Sequence, residues 1–277
     1  MSRTAYRGIL VLKSGVGFSF FGRVSVHACA LAILVLFAAG RAAWAGECID
    51  PREYANSVVR IERVVEDGGP RSWVGSGWFY QSHHVLITNE HVVAALALQE
   101  QAWTSVLIQA SKPDASHGYI QRLKARVLAR DSRDDLALVL LEHPVLGVRP
   151  MDIKTGEVSP GEPLAIAGYA RGLLHFGIAH AYAGRQPVAR FRQPESQFAI
   201  DVQGDANQAA FSAGGSGSPI LNCQGQVVGI FSNLIDERYL SLFGAWGARG
   251  RPTSAASPNA FAVRIEALQT LYASLNR

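Results

Sequence analysis

The sequence predicts an all-β protein: two antiparallel β-barrels of six or so strands each, followed by a C-terminal helix. Three observations carry this. Apolar runs are short and glycine is frequent, 27 of 277 residues, which favours many strands joined by turns over long helices. A break rich in Gly and Pro over residues 145–161 divides the β-rich sequence into two blocks. Apolar residues at 265, 268, 271, 272 and 275 recur at helical spacing and suit a docking helix. With 48% hydrophobic residues the chain is long enough for two small cores.

The first block opens with the strand-like run 57–65, then turn chemistry at Glu66–Arg71. Residues 72–80 read as a second strand, with Gly75 and Gly77 where another backbone passes closely. Gln81-Ser82-His83-His84 turns the chain into the apolar strand Val85–Thr88. Asn89–Ala97 reads as a short helix opening directly from it. Two further strands, 103–110 and 120–129, flank the polar loop Ser111–Gly118. Asp131–Asp135 then leads into Leu136–Leu141, a continuous apolar run expected to be a strand buried on both faces.

The second block offers strand-like runs at 163–169, 177–182, 188–191, 198–202, 218–221, 226–232 and 260–263. Asn222-Cys223-Gln224-Gly225 is a hairpin turn between two of them. The division expected is an N-terminal barrel over 46–150 and a C-terminal barrel with its helix over 151–277. No repeat or low-complexity tract interrupts either.

Residues 1–45 contain no Asp or Glu, and carry Arg3, Arg7, Lys13, Arg23 and Arg41. The apolar run Val26–Ala39 is followed by Ala43-Trp44-Ala45, a small-residue site before Gly46. This is the pattern of a secretory signal peptide cleaved after Ala45. The run is too short for a comfortable membrane span, so no stable span is expected after cleavage. The formal charge of +4 belongs to this segment: five of the 26 Lys and Arg lie in it, leaving 21 against 22 Asp and Glu. A nucleic-acid partner is therefore not expected, and the location expected is secreted or periplasmic. Cys29 falls in the signal. Cys48 and Cys223 remain as an even pair in an exported chain, and a disulfide between them is expected.

The chemistry centres on Phe211-Ser212-Ala213-Gly214-Gly215-Ser216-Gly217-Ser218-Pro219-Ile220, a turn that holds one hydroxyl among small residues. A serine hydroxyl is a poor nucleophile until a base takes its proton, and the base works best when an acid fixes its tautomer. The sequence offers a base at His91, at the strand-to-helix junction, and an acid at Asp135, at the head of the apolar strand. The order is His, Asp, Ser, with the first two in the first block and the third in the second. A site between two barrels would take side chains from both.

These motifs resemble those of the chymotrypsin-fold (trypsin-like) serine peptidases, nearest to bacterial HtrA-type and glutamyl-endopeptidase-type protease domains. Thr-Asn-Glu-His-Val-Val resembles the family's histidine motif, Asp-Leu-Ala-Leu its aspartate motif, and Gly-Gly-Ser-Gly-Ser-Pro its serine motif. The resemblance covers nearly all of 55–275 and implies His91 as base, Asp135 as orienting acid and Ser216 as nucleophile. It selects Asp135 over Asp134, since neighbouring strand residues face opposite ways. The amides of Gly214 and Ser216 are implied as the oxyanion hole. Gly215 departs from the digestive members, which have Asp there to pair with a newly cut N-terminus, so activation of that kind is not expected.

His83 and His84 are expected in an exposed turn. His117, His143, His175 and His180 have no partner motif, and Asp205 is assigned no chemistry. No Cys or His cluster has metal-ligand spacing, and no cofactor is expected. By the resemblance, the specificity pocket draws on Ala210, Phe211, Ile230, Phe231 and Ser232, and the loop 240–257 shapes the cleft. No carboxylate lies there, and the two phenylalanines imply an apolar residue before the cut. The function expected is a serine endopeptidase acting on protein or peptide substrates through an acyl-enzyme. The alternatives are a peptidase-fold scaffold whose activity has lapsed, and an esterase using the same triad.

Overall fold

The computed structural model describes residues 48–64, 73–112, 114, 117–169, 176–184, 196–204, 215–234 and 260–275, all within one compact unit spanning 47–277. The strand expected at 188–191, the loop 240–257, the leader 1–45, His175 and Asp205 lie outside the described residues.

Among the described residues, twelve strands form two closed antiparallel barrels. The first comprises β1 (Val58–Arg63), β2 (Trp73–Phe79), β3 (Val85–Thr88), β4 (Thr104–Ser111), β5 (His117–Asp131) and β6 (Leu136–Leu141). Its order round the barrel is β1-β2-β3-β6-β5-β4, closed by pairing of β1 with β4. The second comprises β7 (Pro163–Gly168), β8 (Gly177–Ala183), β9 (Gln197–Val202), β10 (Pro219–Leu221), β11 (Val227–Leu234) and β12 (Ala260–Arg264). Read from its first strand, its order is β7-β8-β9-β12-β11-β10, the same winding as the first barrel. The α-helices among the described residues are α1 (Glu90–Ala95) and α2 (Ile265–Ser274).

The first barrel is filled by branched side chains, among them Val59, Ile61, Leu86, Ile108, Val127 and Val139. β6 is buried on both faces, as its apolar run requires: Leu136 and Leu138 are as completely covered as Ala137. The polar loop expected over 111–118 is shorter than the sequence suggests. β5 starts at His117 and pairs it with Ser111, because the hairpin ladder continues wherever backbone partners are available, whatever the polarity of the side chains. The second core is built differently. Ala179, Ala181, Ala183, Ala260 and Ala262 leave room that Phe198 and Phe231 fill, and a side chain at Gly229 would meet the Phe198 ring at 2.7 Å.

The two termini tie the barrels together. Pro51–Tyr54 forms a 3-10 turn packed near β7, preceded by Cys48, which is bonded to Cys223 in the β10–β11 hairpin. The Ile49 N–H donates to the Cys223 carbonyl at 2.9 Å, and Tyr54 lies against Gly225, whose φ of 73° suits glycine. At the other end α2 leaves the second barrel and packs against β5 and β6 of the first, with Tyr272 edge-on to Tyr80 at 5.4 Å and Tyr80 edge-on to Trp78. Among the described residues no helix is long and apolar enough to cross a membrane.

The disulfide joins residues 175 apart in sequence. Constraining an unfolded chain over that span stabilises the fold by about 5 kcal/mol in the chain-entropy model, while removing native bridges more often costs about 2–5 kcal/mol. The Cys48→Ser, Cys223→Ser double variant is expected to lose stability in that lower range in urea unfolding. A change below about 0.5 kcal/mol would mean the bridge carries no load.

Candidate active site

The site is assembled where α1, the head of β6, the β10 approach and β11 converge. β3 ends at Thr88, and Asn89 takes the extended conformation (φ −80°, ψ 154°) that begins α1. Val92 and Val93 anchor this helix in the core. His91 is thereby held near the helix start with its ring partly exposed, its side chain 44% accessible.

Asp135 enters β6 in the left-handed region, φ 56°, which Asp and Asn adopt more readily than other non-glycine residues. This turns its carboxylate onto α1. Oδ1 lies 2.9 Å and Oδ2 3.0 Å from His91 Nδ1, and Oδ1 also accepts the His91 backbone N–H at 3.1 Å. The Ser232 hydroxyl donates to Oδ2 at 2.7 Å, and the Asn89 side-chain amide donates to the Asp135 backbone carbonyl at 2.9 Å. A carboxylate on Nδ1 puts the ring proton there and leaves Nε2 as the basic nitrogen.

Ser216 lies in the turn before β10 and is 9% exposed. Its hydroxyl donates to the Ser232 carbonyl at 2.8 Å. The turn is fastened on two sides. Gly217 N–H donates to the Phe231 carbonyl at 2.9 Å, and Phe231 N–H to the Ser218 carbonyl at 2.8 Å. From the first barrel, Ser76 N–H donates to the Ser216 carbonyl at 2.9 Å. The approach is close. A side chain at Gly75 would stand 3.0 Å from the Ser216 carbonyl oxygen, and one at Gly217 (φ 85°) would overlap the Ser76 carbonyl and the Thr88 hydroxyl.

Ser76 also joins the barrels. Its hydroxyl accepts the Tyr169 N–H at 3.0 Å and donates to the Tyr169 carbonyl at 3.3 Å. The Tyr169 phenol donates to the Ser111 hydroxyl at 3.0 Å. Burial pushes that phenol up to about 12, partly offset by the Ser111 bond and by nearby Arg60, so it stays a donor at neutral pH.

Of the three sequence-read residues, His91 and Asp135 are in direct contact, and Ser216 is linked to Asp135 through Ser232. Ser232 itself, read as pocket wall, directs its hydroxyl to Asp135. Phe231 is buried in the second core among Leu164, Ile200 and Val228, and Ile230 is fully covered. Ala210, Phe211 and Gly214 lie outside the described residues. His83 and His84 occupy the β2–β3 turn, where their carbonyls accept from Val145 and Leu141. Asp134 belongs to the turn before β6, its N–H donating to Asp131 at 3.3 Å. His143 is exposed beside Glu142, and His180 is on β8. Asn89 stands in the histidine motif and Ser76 in the Ser76-Gly77-Trp78 stretch that resembles the family, but nothing local marks the partners that the two meet 46 and 93 residues away.

A sequence profile of the trypsin-like peptidase domain matches residues 75–230, more than half of the chain. The chain belongs to the trypsin-like peptidase family. It is 28% identical over 162 residues to a probable periplasmic DegP-like serine endoprotease of Ectopseudomonas mendocina, a match covering 58% of this chain and 29% of that protein. The chain thus spans under a third of the length of such relatives. Among solved structures, its fold is similar to that of Deg5 (TM-score 0.52, 17% identity, 79% of this chain and 88% of that one). It is also similar to the active form of the Rv3671c protease of M. tuberculosis (TM-score 0.54, 19% identity, 80% and 82%). This trypsin-like peptidase therefore has its family shown by the profile match and its fold by the likeness to the solved structures.

Proposed function

We propose that the protein is an exported serine endopeptidase that cuts polypeptides through an acyl-enzyme. The observation that carries this is the Asp135 carboxylate on His91 Nδ1 at 2.9 Å, with Ser216 joined to the same carboxylate through Ser232. Rotation of the Ser216 side chain moves its hydroxyl from the Ser232 carbonyl towards His91. Nε2 then takes the proton as Oγ bonds to the substrate carbonyl carbon, and the amides of Gly214 and Ser216 hold the oxyanion. Collapse breaks the C–N bond, and His91 returns the proton to the leaving amine. Water repeats the sequence to release the acid. The residue preceding the cut is apolar, since the pocket stretches the family resemblance points to, around Ala210–Ala213 and Gly229–Asn233, carry no carboxylate. A leader cut after Ala45 delivers the domain to the periplasm or beyond.

A second reading, a peptidase fold that binds without cutting, draws on the Ser216 hydroxyl's bond to Ser232. One experiment separates the two. Exported protein is treated with a fluorophosphonate, the adduct is located by mass spectrometry, and untreated protein is given a peptide library. The expected results are a mature terminus at Gly46, an adduct on Ser216 and cleavage after apolar residues. No adduct and no cleavage would reject the endopeptidase reading.

A further inference from the structure

Asn89 stands where a helix N-cap stands, and asparagine is among the residues best suited to that role. Yet its side chain makes no capping bond to α1. The N–H of His91, the second residue of the helix and one that an N-cap side chain would ordinarily serve, is taken by Asp135 Oδ1 at 3.1 Å. Asn89 is fully buried, and its amide donates instead to the Asp135 backbone carbonyl at 2.9 Å. A carbonyl only accepts, so the amide nitrogen faces it.

The two residues therefore exchange roles across 46 positions. The side chain of Asp135 caps the backbone of the helix that Asn89 begins, and the side chain of Asn89 holds the backbone of Asp135. The hold matters because Asp135 sits at φ 56°, a conformation that persists only where its surroundings impose it. In the extended conformation its carboxylate would leave α1 and His91 together.

We infer that Asn89 is a positioning residue, which locks Asp135 in the left-handed conformation and so aligns its carboxylate on His91 Nδ1. The inference rests on the role proposed above for these residues. Asn89 touches neither substrate nor the reacting atoms, so its loss lowers turnover and leaves substrate affinity alone.

The test pairs kinetics with a spectroscopic signature. Asn89→Ala is expected to lower kcat about 10- to 100-fold, the range for a displaced catalytic group, with KM within twofold. In the Ser216→Ala background, the low-field proton resonance of the Nδ1–H bond to Asp135 is expected to be present, and lost when Asn89→Ala is added. Val127→Ala, a truncation in the first core, serves as a stability control and keeps both kcat and the resonance. Should Asn89→Ala fold poorly, Asn89→Leu preserves the volume without the donor. Retention of the resonance in the Asn89 variant overturns the inference, as does its equal loss in Val127→Ala. If the unaltered protein neither hydrolyses peptide nor takes a phosphonate, the proposed function fails, while the resonance still decides the role of Asn89.

Discussion

Ser216→Ala is expected to lower peptide turnover by about a million-fold and to abolish phosphonate labelling, leaving the fold intact. The magnitude follows from removing a nucleophile that acts as a unit with its base, where loss of either costs nearly as much as loss of both. The fold should survive because the hydroxyl makes one identified bond, to the Ser232 carbonyl. A hydrogen bond of that kind contributes about 1 kcal/mol, and the backbone bonds from Ser76 and between Gly217 and Phe231 stay in place. Steady-state hydrolysis and labelling decide the matter. Turnover that survives the change would remove Ser216 from the mechanism.

Asp135→Asn is expected to lower kcat about 10,000-fold with little change in KM. Three donors converge on the carboxylate: the His91 N–H, the protonated Nδ1 and the Ser232 hydroxyl. An amide has one oxygen and one NH2. If its oxygen keeps the His91 N–H, its NH2 turns towards Nδ1 or Ser232, and an NH2 against Nδ1 demands the unprotonated nitrogen. The ring proton then sits on Nε2, the atom that must receive the proton of Ser216. The backbone is preserved, because asparagine adopts the left-handed conformation as readily as aspartate. The defect is therefore one of tautomer rather than folding. It is read as a fall in kcat with unaltered circular dichroism and unaltered urea midpoint. A decrease below tenfold would show that His91 needs no orienting acid.

The parts of the site that could be read from sequence are those encoded locally. His91 follows a strand that ends in a helix start, Asp135 opens an apolar run buried on both faces, and Ser216 lies among glycines. Gly75 and Gly77 announce close backbone approach, and the structure supplies the partners: the Ser216 carbonyl for one, the Ile87 carbonyl for the other. What was illegible depends on who faces whom after the chain has closed twice. Ser232 resembles any other polar residue in a strand until β11 sets it beside Asp135. Phe231, one place earlier, points into the barrel. Ser76 and Tyr169 meet only because β2 and the end of β7 border the same seam, and Asn89 finds its acceptor 46 residues on. Local propensity holds no record of such meetings.

The terminal segments carry a final implication. The 48–54 segment is fastened to the second barrel before the chain enters the first. The helix 265–274 leaves the second and lies across the first. Each half is thus gripped by the other's tail, so the stretch 145–161 is one of several connections between them. A scissile event there would leave a nicked but assembled enzyme. Its two fragments would be held like the halves of a split reporter, with the covalent bridge at Cys48 and Cys223 still joining them.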